Sequence, residues 1–151
     1  MTARVLVWIL FAASLSAHGE SLPESCAILP VSQGPALIRQ CSRGAPSGVS
    51  EFWEPSISQI LAIEQRLPEF LRSTSHSIKA SDYLRQYVGV VSHGRKLIYL
   101  NAFIRGGLTV NPKKDWKTMA VIVCDGGDGF WGVEFDPADN SFHHFESNGV
   151  A

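Results

Sequence analysis

From Val121 to its last residue the chain carries no lysine and no arginine, although the whole sequence is nearly balanced, with 13 basic and 14 acidic side chains. A formal net charge of −1 argues against a general nucleic-acid binder, which needs a basic face to neutralise phosphates. The shortage of cations is local. Between Lys79 and Lys117 the chain places Lys79, Arg85, Arg95, Lys96, Arg105, Lys113, Lys114 and Lys117 against only Asp82 and Asp115. Beyond Val121 stand Asp125, Asp128, Glu134, Asp136, Asp139 and Glu146, unopposed. The folded domain is therefore expected to be dipolar. Cross-strand pairing would absorb the imbalance; an acidic face left exposed would instead meet a basic partner or a cation.

Long apolar runs are missing too. The stretch from Val5 to Leu15 is shorter than the roughly 20 residues needed to cross a bilayer, so no membrane span is expected. With Arg4 before it and small and polar residues after it, the stretch has the order of a secretory signal peptide, residues 1–19, cleaved near Gly19 at the Ala17-x-Gly19 site. Cys26 lies too far on, behind Leu22, Pro23, Glu24 and Ser25, for a lipoprotein junction. The expected location is the periplasm or the medium, and what remains is enough for one domain with its own core.

Cysteines are few, and no CxxC or Cys/His spacing of zinc-site type occurs, so neither a structural zinc nor any cofactor is expected. Cys26, Cys41 and Cys124 make an odd number, which in an oxidising compartment means one bridge and one remaining thiol. Cys26 with Cys41, flanking a loop rich in Pro, Gly and Ser, is the favoured pair. Cys26–Cys124 or Cys41–Cys124 would instead tie that loop to the sheet.

There is no internal repeat and no low-complexity tract. Residues 20–50, broken by Pro23, Pro30, Pro35, Pro46, Gly34, Gly44 and Gly48, read as an irregular arm with short extended pieces at Ala27 to Val31 and Ala36 to Gln40. Residues 51–151 read as a single α+β domain that opens on a helix. Ile57, Ile60, Leu61, Glu64, Leu67 and Leu71 recur at helical spacing, Pro55 suits the first turn, and Pro68 kinks or splits the helix. Strands are expected at Tyr83 to Val91 and Arg95 to Ile104, joined through Ser92-His93-Gly94. Met119 to Cys124, apolar on both faces, reads as a central strand. Phe130 to Phe135 and Ser141 to Glu146 follow, joined by the Asp136-to-Asn140 turn. A helix packed on a curved antiparallel sheet of about five strands has the layout of a cystatin-like or NTF2-like cone, an analogy of fold that carries no function.

Several residues are candidates for chemistry. Cys124, with His143 or His144 on a neighbouring strand, offers a thiol nucleophile with a histidine base, and so a small thiol-dependent hydrolase. The simpler reading of Cys124 is a core residue or half of a disulfide. His143 and His144, adjacent on a strand, are expected on opposite faces, which argues against a shared metal. The Asp125-Gly126-Gly127-Asp128-Gly129 turn offers two carboxylates to calcium but lacks the length and closing glutamate of an EF-hand loop; a glycine turn is the plainer account. Asp125, Asp128, Phe130, Trp131 and Glu134 gather acid and aromatic area in one hairpin and form the candidate contact surface for a protein partner or small ligand, with Trp53 and Trp116 as further aromatics.

The segments YVGV (Tyr87 on), IYLNAF (Ile98 on), Trp116, VCDGGDGFWGVEFD (Val123 on) and the closing NGVA together resemble uncharacterised small secreted proteins of Gram-negative bacteria. The resemblance spans roughly Trp53 to the end. It implies a bacterial envelope location and lends no activity, ligand or catalytic residue. The expectation is a non-catalytic exported domain that binds a protein or small ligand, in the manner of an inhibitor or immunity-type factor, with the Cys124 hydrolase as the alternative.

Overall fold

The structure, a computed structural model, describes residues 19–107 and 115–150. The stretch expected to be a signal peptide, up to residue 18, and Lys113 and Lys114 lie outside the described residues. The architecture is mixed α+β: β1 (Cys26–Ile28), α1 (Gly34–Leu37), β2 (Val49–Trp53), α2 (Ile57–Ser73), β3 (Tyr83–Ser92), β4 (Arg95–Ile104), β5 (Phe130–Asp136) and β6 (Ser141–Ser147).

Helix α2 begins at a capping box. The Ser56 hydroxyl accepts from the Gln59 backbone N–H at 3.2 Å, and the Ser56 N–H donates to Gln59 Oε1 at 2.9 Å, so two orphan donors of the first turn are satisfied. Pro55 therefore lies before the cap, outside the helix. Pro68 sits inside the helix and does not divide it, because Leu67 and Leu71 are both buried and pin the turns on either side. The buried face runs through Ile60, Ile63, Leu67 and Leu71, which leaves Ile57 38% exposed. This helix is not the first element of the domain, since β1, α1 and β2 precede it.

The six strands form one sheet in the order β1-β3-β4-β5-β6, with β2 also on β3. β1 pairs parallel with Arg85 to Tyr87, and β2 pairs antiparallel with Gly89 to Ser92, so the two lie end to end along the outer edge of β3. The segment read as an irregular arm thus supplies sheet edge, and the expected extended piece at Ala36 to Gln40 is instead the end of α1 and the turn after it. At the β3–β4 hairpin both His93 (φ 48) and Gly94 (φ 79) are left-handed, as a two-residue primed turn requires.

Met119 to Cys124 is not a strand. Both edges of β4 are taken, by β3 and β5, so this apolar run has no ladder to join and lies across the sheet instead. Its backbone bonds to side chains. Gln86 Nε2 donates to the carbonyls of Trp116 (2.6 Å) and Met119 (2.7 Å), Gln86 Oε1 accepts from Val121 N–H at 3.0 Å, and Asn101 Nδ2 donates to Val121 O at 3.0 Å. Asn148 Nδ2 reaches the carbonyls of Val123 (2.6 Å) and Asp125 (3.1 Å). Buried loop backbone must find partners somewhere, and here the sheet and the chain's last turn provide them.

The sheet is covered on both faces. On one, α2 packs over Tyr87, Ile98, Leu100, Ala102, Trp131, Val133 and Phe135. On the other, Leu29, Leu37 and Ala120 pack over Val88, Val90, Leu97 and Tyr99. A disulfide, Cys41–Cys124, joins the two irregular segments that cover this second face. The expected Cys26–Cys41 pair is overturned: Cys26 lies in β1 within the helix-side core, with the sheet between it and Cys41, and remains a free buried thiol.

Candidate functional site

Among the described residues the ionisable side chains gather in clusters of differing chemistry; besides the exposed group of Arg95 with Asp136 and Asp139, three bear on a site. The first is closed. Arg85 donates to both oxygens of Glu64, each at 2.7 Å, to the carbonyls of Ala80 and Tyr83, and to Ser25 Oγ; the Tyr87 hydroxyl also bonds Glu64. Burial alone would lower the Arg85 pKa, but Glu64's hydrogen bonds and charge outweigh it and raise it. Cys26 sits against this pair. Burial first, then the Glu64 charge, pushes its thiol up to about 11, so at neutral pH it is a protonated, inert thiol.

The second cluster is at the Gly127–Gly129 turn. His76 Nδ1–H and Ser147 Oγ both donate to Asp128 Oδ1 at 2.7 Å. The Ser147 bond, ahead of the His76 contacts, holds the Asp128 carboxyl below its usual value. The carboxylate stands between hydroxyl and imidazole, so Ser147 has no base and the order of a nucleophile relay is absent.

The third cluster is open, and it is built by an irregularity. Gly132 pairs with Glu146 and Glu134 with His143, so β6 carries two residues, His144 and Phe145, opposite Val133 alone. This is a β-bulge, and His144 within it is left-handed at φ 51. The expectation that His143 and His144 face opposite ways is thereby overturned. The extra residue turns the His144 ring to the second face, where its Nδ1–H donates to Glu134 Oε2 at 3.0 Å, and its centroid is 6.3 Å from that of His143.

The Glu134 side chain is only 10% exposed, and its other oxygen, Oε1, accepts no hydrogen bond among the described residues. It lines a pocket of about 230 Å³ with Ser47, His93, Tyr99, His144 and Glu146. A second depression of about 290 Å³ shares His93, Glu134 and His144 and adds Arg95 and His143. Behind the pocket, Arg43 donates to Tyr99 Oη at 3.4 Å and to the side-chain oxygens of Asn101 and Asn148. Gly132 makes that approach possible: a Cβ there would collide with the Tyr99 hydroxyl and lie 3.0 Å from Arg43 Nε. Burial raises the Tyr99 pKa despite the opposing charge of Arg43, so its phenol stays a donor.

The residues grouped by sequence are separated in space. Cys124 is bonded to Cys41 and has no thiol to attack with, which removes the Cys124–His143/His144 hydrolase. Trp131 is wholly buried under α2, so it is core and not contact surface, and Phe130 is half-buried. Asp125 and Asp128 lie at the start of β5, while Glu134 and the two histidines lie toward its far end. The calcium reading loses Asp128 to His76 and Ser147, and among the described residues no group of three or more His, Cys, Asp or Glu side chains is placed to hold a metal ion. His143 Nε2–H bonds Ser141 Oγ at 2.6 Å and faces Asp139 with the same nitrogen, so those three form no relay either.

Arg43, Tyr99, His93 and Glu146 escaped the sequence reading. Only the pairing of distant segments brings them together. Searched against known proteins, the chain matches no family model, no curated protein and no solved structure.

Proposed function

We propose that the protein is an exported, non-catalytic binding domain that engages a partner through the Glu134–His144 pocket, in the manner of an inhibitor or immunity-type factor of the bacterial envelope. One observation carries the reading: a carboxylate nine-tenths buried, oriented by a left-handed histidine in a bulge, with one oxygen left open to a cavity. Backbone strain costs stability, and it persists where a ligand site uses it. The Cys41–Cys124 disulfide fits an oxidising, extracytoplasmic setting. No helix among the described residues is long and apolar enough to cross a membrane.

The test is an affinity capture with the mature protein against envelope and culture-supernatant proteins at low and moderate salt, run beside Glu134→Gln. The expected result is a stoichiometric partner that weakens with salt and is lost with the variant. A partner retained equally by Glu134→Gln, but lost on charge reversal at Asp125 and Asp128, would move the site to the other end of β5.

A further inference from the structure

We propose that the Glu134 pocket takes the cationic nitrogen of a basic side chain, a lysine ammonium or an arginine guanidinium presented by a partner peptide; this rests on the pocket being the binding site. The sign of the ligand follows from which groups are already committed. Arg43 spends its donors on Tyr99, Asn101 and Asn148. Arg95, which lines only the neighbouring depression, donates through Nη2 to Asp136 and Asp139. Among the described residues no lysine or arginine lines the Glu134 pocket itself. Among the described residues Glu134 meets only the His144 N–H, its Oε1 accepts no hydrogen bond, and a carboxylate bonds a charged donor more strongly than a neutral one.

The rim has the same sign. Glu146, exposed, bonds the Gly44 N–H through Oε2 at 2.5 Å and lines the same pocket. At about 230 Å³ the space is below the roughly 300–1,000 Å³ of a site that encloses a whole small molecule, and it suits the tip of one side chain. The Tyr99 hydroxyl and the Ser47 and Ser92 residues supply neutral polar wall without competing charge. The acidic run without lysine or arginine, from Val121 onward, thus acquires a specific counterpart: a basic side chain on another molecule.

The experiment is a two-dimensional NMR titration of the full mature protein with blocked single amino acids: N-acetyl-arginine amide, N-acetyl-lysine amide, the uncharged N-acetyl-norleucine amide and N-acetyl-glutamate amide. Saturable shifts confined to residues around His93, Tyr99, Glu134 and His144 are expected with arginine and lysine and not with the other two. Glu134→Gln should weaken binding about tenfold or more, the equivalent of one charge-assisted contact. Glu146→Gln on the exposed rim, whose amide oxygen can still accept from the Gly44 N–H, should weaken it by a smaller factor. Norleucine binding as well as lysine, glutamate binding at all, or cationic probes shifting residues elsewhere would overturn the proposal. If the captured partner depends on Glu134 while no cationic probe binds, the pocket stands and the cation falls. If the cationic probes bind but the captured partner ignores Glu134, the cation site stands and its role in partner capture falls.

Discussion

The two faces of the sheet are covered by different kinds of structure, and the chemistry beneath each follows from its cover. On one face lies a helix, whose backbone is satisfied internally, so the sheet can meet it with Ile98, Leu100, Val133 and Trp131. The buried ion pair on that side, Arg85 with Glu64, is closed upon itself. On the other face lie two irregular segments whose backbone groups have no ladder of their own. The sheet answers with Gln86 and Asn101 pointing up among Val88, Val90 and Tyr99, and a disulfide holds the segments in place. A polar layer under a loop cover does not seal as an apolar one does, and the open pocket lies at its margin.

The largest break in that comparison comes on the helix side. Glu64→Ala leaves the Arg85 guanidinium and the Tyr87 hydroxyl buried without their acceptor, and the expected loss is about 3–5 kcal/mol in urea unfolding, against a total of about 5–15 for a domain. The double change Glu64→Leu with Arg85→Met should recover most of it. A single-variant loss below about 1 kcal/mol would show that water reaches the pair.

Next comes the staple. Replacing Cys41 and Cys124 by serine should cost about 2–4 kcal/mol, and the loss should be regional. Hydrogen exchange is expected to rise at the described amides of residues 30–48 and 115–125 while α2 keeps its protection. Equal deprotection of α2 would mean that the two covers do not act as separate units. Smaller again is Gln86→Leu, which keeps the bulk and deletes the bonds to Trp116, Met119 and Val121; about 1–3 kcal/mol is expected, with faster exchange at Val121 N–H as the local sign.

Sequence periodicity reads the helix face in part because that face obeys local rules: Ile60, Leu67 and Leu71 are buried where the spacing places them, while Ile63, outside the expected stripe, is buried and Ile57 is exposed. The 3.6-residue stripe meets the alternation of β4, and Ile98, Leu100 and Ala102 point where alternation places them. Glu64 sits inside that stripe, and a carboxylate on an apolar face signals a buried partner; Arg85, in the next element, is that partner. The second face is not legible in this way. Nothing in Met119 to Cys124 tells an apolar strand from an apolar strap, because the distinction lies in whether a sheet edge is free, which is a property of the whole topology. The bulge at His144 is equally hidden: a left-handed position filled by histidine, not glycine, carries no turn signature. The disulfide follows from the same cause, since pairing Cys41 with Cys124 requires knowing that both segments cross one face.

The smallest expected effect lies at the Asp128 cluster, and it sharpens the contrast between closed and open carboxylates. Ser147, and after it His76, hold the Asp128 carboxyl below its usual value near 3.8, so the unfolded chain takes up this proton more readily than the folded one. The stability it contributes is therefore present above about pH 4 and is lost as the pH falls through the lowered value. Because Asp128 is more than half exposed, solvent screens the interaction, and Asp128→Asn should cost no more than about 1 kcal/mol at pH 6. What the substitution should remove is part of the acid slope, read as the change in urea midpoint between pH 5 and pH 3. An unchanged slope would show that the Ser147 and His76 contacts do not form in solution.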